Sequence, residues 1–329
     1  MDETAHASNK RKRVDKFPMV AQTRSDIWFD DGNIVVQAEG TQFKVHRSML
    51  AMWSPVFKET FSKNQTYSGD AVEGCPVVRV TDSAVDMNIL LGALFQRRHV
   101  EAVQPLSIDI ISAFIRLGKK WQVDTIFKEG LKRLLYEYPS TLDDFDALVH
   151  YSQVTDSNWV EIDVARLARE QNLLSILPVA LYGCIFTIQD AKELAKGVVR
   201  GDGSVAQLAP DDLISCLVAY QSLATLQAET TLAWMNAAPE KYNDCKNKDR
   251  KLCAAVRTQL RSTISFPSVN VRGLDSWSIF AQSQSVDGMC TACVEVASEM
   301  HGSGRVDFWD GLPGIFGLPS WEELRKKQD

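Results

Sequence analysis

The sequence predicts an α+β N-terminal domain, a small sheet packed with helices, followed by a mostly α-helical C-terminal region. Three observations carry this expectation. Runs in which β-branched and aromatic residues alternate are confined to positions 25–82, apolar spacing of three and four takes over from Met49, and strand signals nearly vanish after Pro139. With 329 residues the chain is long enough for two or three domains, each burying its own core, and a content of 45% hydrophobic and 24% charged residues is that of a folded globular protein.

Residues 1–24 are polar and without periodicity, and read as a disordered basic tail containing the run Lys10, Arg11, Lys12, Arg13. Closely spaced cations on an extended chain suit the acidic groove of a nuclear import receptor, and they equally suit plain solvation. From Ser25 the texture changes. "DIWFDD", "IVVQAEG" and "TQFKVH" read as strands, with a turn at Gly32 and Asn33 and a hairpin at Gly40. Beyond His46 the apolar positions Met49, Leu50, Trp53, Phe57 and Phe61 predict two short helices, the second capped by Ser54 and started by Pro55. "PVVRVTD" is a further strand, and Asp82 or Ser83 caps a helix expected to bury Val85, Ile89, Leu90, Ala93 and Leu94. Ser107 caps the next helix, with Ile108, Ile111, Phe114, Ile115 and Leu117 inward, and Gly118 allows a break before Trp121. Ile126, Phe127, Leu131, Leu134 and Leu135 mark another helix, closed by Pro139.

The expected divisions are therefore a tail at 1–24, an α+β domain at 25–138, a helical region at 139–265 and a cysteine-containing segment with short helices at 266–329. In the helical region Thr141, Ser157 and Asp211 read as caps and Pro178 and Pro210 as helix-starting prolines. "TISFPSVNVRGLDSW" reads as a loop, "CTACVEVASEMH" as the start of a helix, and Ser320 with Glu323 as the capping box of a last short one.

Within 25–138 the order of elements matters more than any one residue. The strand "FKVH" runs into "RSMLAMWSPVF", and "RLGKKWQVDTIFKEGLKRLL" supplies the closing helices. This segment resembles the BTB/POZ domain, through the pattern aromatic, x, x, His, Arg or Lys, x, x, Leu, Ala, x, x, Ser, x, x, Phe. The remainder is similar to fungal BTB-domain proteins, whose helical region ends in a segment like "FWDGLPGIFGLPSWEEL". The resemblance implies a non-enzymatic protein-interaction module, often self-associating, that serves as a scaffold, a ubiquitin-ligase adaptor or a transcriptional cofactor, with protein partners and a homodimer as its assemblies. It implies an interface containing Asp26 and Arg47, a match to the charged pair near the dimer interface of family members, together with Met49 and Trp53 on the short helical pair. It also implies a buried structural role for His46. Two departures stand out: Val100 and Glu101 are adjacent where cullin-binding adaptors have hydrophobic, x, Glu, and Pro18 interrupts the segment from which many such dimers exchange a strand.

Thirty-six Lys and Arg against 42 Asp and Glu give a net charge of −6, so no overall attraction to a phosphate backbone is expected, and the tryptophans read as core rather than as a base-stacking platform. Without a signal-peptide stretch or a run of about 18 apolar residues, no membrane association is expected and the chain reads as intracellular, in nucleus or cytoplasm. Its seven cysteines then read as reduced thiols. Cys290 and Cys293 form C-x-x-C at a helix start, and Cys245 with Cys253 could complete a tetrahedral zinc set. Buried thiols in an ordinary core are the alternative, and the spacing leaves both open. With zinc, the basic tail and the cysteines would make a zinc-stabilised nuclear regulator. His301 is a poor ligand, because eight residues of continuous helix beyond Cys293 is about 12 Å of rise. "RGDGSVA" at 200–206 lacks the strand that gives a phosphate-binding glycine loop its meaning and reads as a helix connector.

Overall fold

The computed structural model describes residues 22–62, 67–100, 103–155, 159–188, 190–201, 203–247, 250–265, 270–284 and 286–326. They fall into two compact units, residues 1–98 and 99–329, and the division lies inside the segment 25–138.

The first unit is built on a five-stranded sheet. Strands β1 (Thr23–Trp28), β2 (Ile34–Ala38) and β3 (Thr41–Val45) precede the helices α1 (Arg47–Trp53) and α2 (Pro55–Ser62); β4 (Tyr67–Val72), β5 (Cys75–Val80) and helix α3 (Ala84–Gln96) follow. The strand order is β1-β3-β2-β5-β4. Strands β2 and β3 form an antiparallel hairpin, β1 joins β3 in parallel, and β5 lies parallel to β2 and antiparallel to β4. Ile34, Val35, Val36, Phe43 and Val45 are fully buried, which explains why these runs are apolar almost without alternation. Strand β4, absent from the sequence expectation, has the composition "YSGDAV" and is an edge strand, held in the sheet only by its ladder to β5.

The caps follow the sequence in part. The Ser54 hydroxyl accepts the Phe57 N–H at 3.0 Å and the Ser83 hydroxyl accepts that of Asp86 at 3.0 Å, so both serve as expected. Helix α3 buries most of its expected face. Leu90, Ala93 and Leu94 are buried as expected and Met87 and Leu91 join them, whereas Val85, expected inside, is 67% exposed.

The second unit is helical: α4 (Ile108–Lys120), α5 (Asp124–Glu137), α6 (Leu142–Asp146), α7 (Val160–Gln171), α8 (Leu177–Ile188) and α9 (Ala191–Lys196), then α10 (Pro210–Glu229), α11 (Arg250–Ser265), α12 (Trp277–Ser283), α13 (Thr291–Ile315) and α14 (Trp321–Lys326). Two 3-10 turns, Ala233–Asn236 and Pro239–Tyr242, lie between α10 and α11. Helix α8, "LPVALYGCIFTI", is apolar nearly all round and correspondingly buried, packing against α7 and α10.

Two cap expectations, at Ser107 and Asp211, are corrected here, and two others gain detail. Helix α4 ends at Lys120, just before Trp121, where the break was expected, and Gly118 in its last turn lets α5 approach, since a Cβ there would stand 2.7 Å from the Phe127 backbone nitrogen. Ser107 occupies the N-cap position of α4 without a side-chain cap bond. Ala209, not Asp211, occupies the N-cap of α10, with Pro210 in the first turn, where its missing N–H costs nothing. "RGDGSVA" lies in the connection between α9 and α10, as expected, but the connection is not plain coil. It closes a two-stranded hairpin, β6 (Val198–Val199) with β7 (Val205–Ala206), in which Gly203 takes φ +83° and the Arg200 N–H bonds the Ser204 carbonyl at 2.8 Å. Thr141 caps α6 as expected, and the expected cap Ser157 lies outside the described residues.

Candidate interaction surface and metal centre

Helix α1 is seven residues long and buries only Leu50 fully. So short a helix packs one side only, and other apolar residues face out: Met49 and Trp53 are each 37% exposed and Met52 is 68% exposed. Arg47, at the head of the helix, donates to the Phe61 carbonyl at 2.8 Å and sits 5.8 Å over the Phe61 ring, which fastens the start of α1 to the end of α2. Asp26, on β1, pairs instead with Arg98. The hydrogen bond from Arg98 holds the Asp26 carboxyl below its ordinary value. The two residues matched to an interface pair are thus each engaged by a different partner within this unit, while Met49 and Trp53 are partly exposed.

His46 stands at the strand-to-helix junction as expected, but it is half-buried, not buried, and makes no side-chain cap. Its ring lies 5.4 Å from that of Phe29 and its Nε2 is 3.3 Å from the Asp31 carboxylate. The exposed backbone N–H of Arg47 goes to the Asn33 side chain at 2.8 Å, so Asn33 does the capping work assigned to the histidine.

The second site is in the helical unit. Cys245 follows the second 3-10 turn, Cys253 is on the first turn of α11, Cys290 is the N-cap of α13 and Cys293 lies one turn inward. Their four Sγ atoms all lie within 4.8 Å of one another. Cys245 Sγ is 3.6 Å from that of Cys253 and 3.8 Å from that of Cys290. Cys253 and Cys293 are buried; Cys245 and Cys290 are half-buried. N–H donors point at the sulfurs: the Lys246 backbone at Cys290 (3.3 Å), the Cys290 backbone at Cys253 (3.3 Å) and the Asn247 amide at Cys253 (2.9 Å). The thiols differ in acidity. Burial and the neighbouring sulfurs push Cys293 up, whereas Cys290, despite its own desolvation, is drawn down to about 6 by the N–H groups of Cys293 and Lys246. His301 is elsewhere, its Nε2 donating to the Asp275 carbonyl at 2.8 Å. The basic run Lys10–Arg13 lies outside the described residues.

A cleft of about 410 Å³ in the same unit is lined by Tyr138, Tyr151, Tyr182 and Phe186 with the carboxylates of Glu137 and Glu161. The sequence reading did not find it, since its lining comes from positions far apart in the chain. Glu137 accepts the backbone N–H groups of Tyr151, Gln153 and Val154, and Glu161 accepts the Tyr151 hydroxyl at 3.2 Å. Glu137 therefore holds the loop after α6 in place.

Comparison with known protein families matches residues 24–136 to the BTB/POZ domain. The chain therefore carries an N-terminal BTB/POZ domain followed by a mostly helical region, and this domain family mediates protein–protein interaction and self-association and is generally non-enzymatic. A search of curated proteins gave no match. Among the described residues, no helix is long and apolar enough to cross a membrane.

Proposed function

We propose that this protein is a self-associating scaffold or adaptor whose contact surface is the outer side of α1, with Met49 and Trp53 at its centre and Asp26 and Arg47 as its charged margin. The observation that carries this reading is the solvent-facing cluster Met49, Met52 and Trp53 on a helix inside a BTB/POZ match. Exposed apolar side chains grouped on one turn gain by being covered, about 25 cal/mol for each Å² removed from water. A second copy offers the same patch and so meets it symmetrically. The functional divisions proposed are the tail at 1–24, the interaction domain at 25–138, the helical region at 139–265 and the cysteine segment at 266–329, in the manner of the fungal BTB-domain proteins. Recruitment to a ubiquitin ligase or a transcriptional complex, in nucleus or cytoplasm, is the role such an adaptor would have.

Analytical ultracentrifugation of the full chain tests the proposal. The native protein is expected to sediment as a concentration-dependent dimer or larger species, and the double variant Met49→Glu with Trp53→Glu as a monomer with an unchanged melting curve. A native protein that stays monomeric, or a double variant that associates as before, would overturn the assignment.

A further inference from the structure

We infer that Cys245, Cys253, Cys290 and Cys293 together bind one structural Zn²⁺ that braces the helical unit. The inference is independent of the contact surface on α1. Three features of the cluster, each separate from the others, point to a metal.

The first is the spacing of the sulfurs. A zinc ion with Zn–S bonds of about 2.3 Å in a regular tetrahedron sets its sulfurs about 3.8 Å apart. The Cys245–Cys253 and Cys245–Cys290 separations of 3.6 and 3.8 Å fall on that edge length. A disulfide would need about 2.05 Å.

The second is convergence. The sulfurs are brought together from the turn after Pro239–Tyr242, from α11 and from the head of α13, while Cys75, Cys184 and Cys216 stand outside the group. Hydrophobic packing alone gives four thiols no reason to choose one another over the apolar side chains around them.

The third is the polar surround. A neutral thiol is a weak acceptor, yet two backbone N–H groups and the Asn247 amide are directed at the sulfurs of Cys253 and Cys290. Donors of this kind orient and stabilise metal-bound thiolates.

The donor set also selects the ion and its role. Four sulfurs with no carboxylate or imidazole among them favour a soft or borderline cation, and four protein ligands leave no open position for substrate, so the centre is structural. The half-buried Cys245 and Cys290 provide the way in, and the buried Cys253 and Cys293 close the inner side. Binding would tie the loop carrying Cys245 to two helices that it also meets through the Asn247 amide and through Tyr242, whose ring is packed on this cluster and under Arg257, 3.8 Å from its centroid.

Metal analysis of the purified full chain is the primary test. About one zinc per chain is expected. Replacing it with Co²⁺ should give the intense visible bands and the thiolate-to-cobalt charge transfer of a tetrahedral tetrathiolate site, a reading that needs no variant. Cys290→Ser should lose most of the zinc, with Cys216→Ser as a control that keeps it. Protein that purifies metal-free and takes up neither Zn²⁺ nor Co²⁺ would overturn the inference. So would stoichiometric iron, or zinc retained in full by a Cys253→Ser, Cys290→Ser double variant.

Discussion

His301 shows how a single side chain can tie stability to pH. It is completely buried, with its ring 5.4 Å from that of Trp277 and 5.3 Å from that of Phe280. Nε2 donates to the Asp275 carbonyl, and Nδ1 has no partner among the described residues. Burial, with Arg305 nearby, lowers its pKa below 6.5, although the Asp275 carbonyl and carboxylate act the other way. A folded-state value below the unfolded one means that the unfolded chain takes up the proton first. The stabilisation is therefore complete above pH 6.5 and declines as the pH falls from there toward the folded pKa. Urea unfolding between about pH 7.5 and about pH 5 should show this loss, and His301→Gln, which keeps a donor for the Asp275 carbonyl, should flatten it. An identical slope in the variant would show that other groups set the pH dependence. At the same scale, His46 was legible in position but not in role. The sequence marks the junction, but whether an imidazole or a neighbouring amide satisfies the free N–H depends on Asn33, 14 positions away from Arg47.

Among the elements, α13 is the most constrained. It runs 25 residues and buries His301, Gly304, Arg305, Phe308 and Leu312 along its length. Arg305 gives the helix its polar anchor, donating from Nε and an Nη to the Leu274 carbonyl at 3.1 and 2.9 Å and bridging to the Asp146 carboxylate at 3.0 and 2.5 Å. Gly304 sets how closely α13 crosses the end of α10: a Cβ there would stand 2.3 Å from the Thr230 carbonyl oxygen. Backbone cannot yield as a side-chain tip does, so Gly304→Ala should lower unfolding stability by about 1–3 kcal/mol, against the small gain expected for alanine in an exposed helix. Gly302 on the same helix has open space where its Cβ would go, and Gly302→Ala should be neutral or stabilising. Equal effects at the two positions would refute the close-crossing account. Most elements were legible because a 3.6-residue period and a capping residue are local properties. Strand β4 and the β6–β7 hairpin were not: "YSGDAV" and the two-residue strands beside "RGDGS" carry no alternating apolar pattern, and become strands only by pairing.

For the molecule as a whole, the two compact units make different demands on stability. The first has a sheet whose inner strands β2 and β3 are almost wholly buried. In the second, residues 237–247 form a 3-10 turn and loop, and Tyr242 in it packs in a small cluster with Cys253 and Cys293. With so little apolar surface there, a bound cation would contribute a large part of the local stability. Stripping zinc with a chelator should lower the melting temperature of this unit by roughly 4–10 °C, the scale of a loss of about 2–3 kcal/mol. Amide exchange should rise at residues 237–253 and at the head of α13, while β2 and β3 stay protected. Uniform loosening throughout the chain would contradict a local brace. By itself the sequence determined most of the order of strands and helices, except β4 and the β6–β7 hairpin, and the N-terminal interaction domain, since these are written within a few neighbouring residues. Tertiary structure decided that α1 turns Met49 and Trp53 outward and that four cysteines from three segments converge on one point. Both outcomes depend on contacts between distant parts of the chain, where local periodicity carries no information.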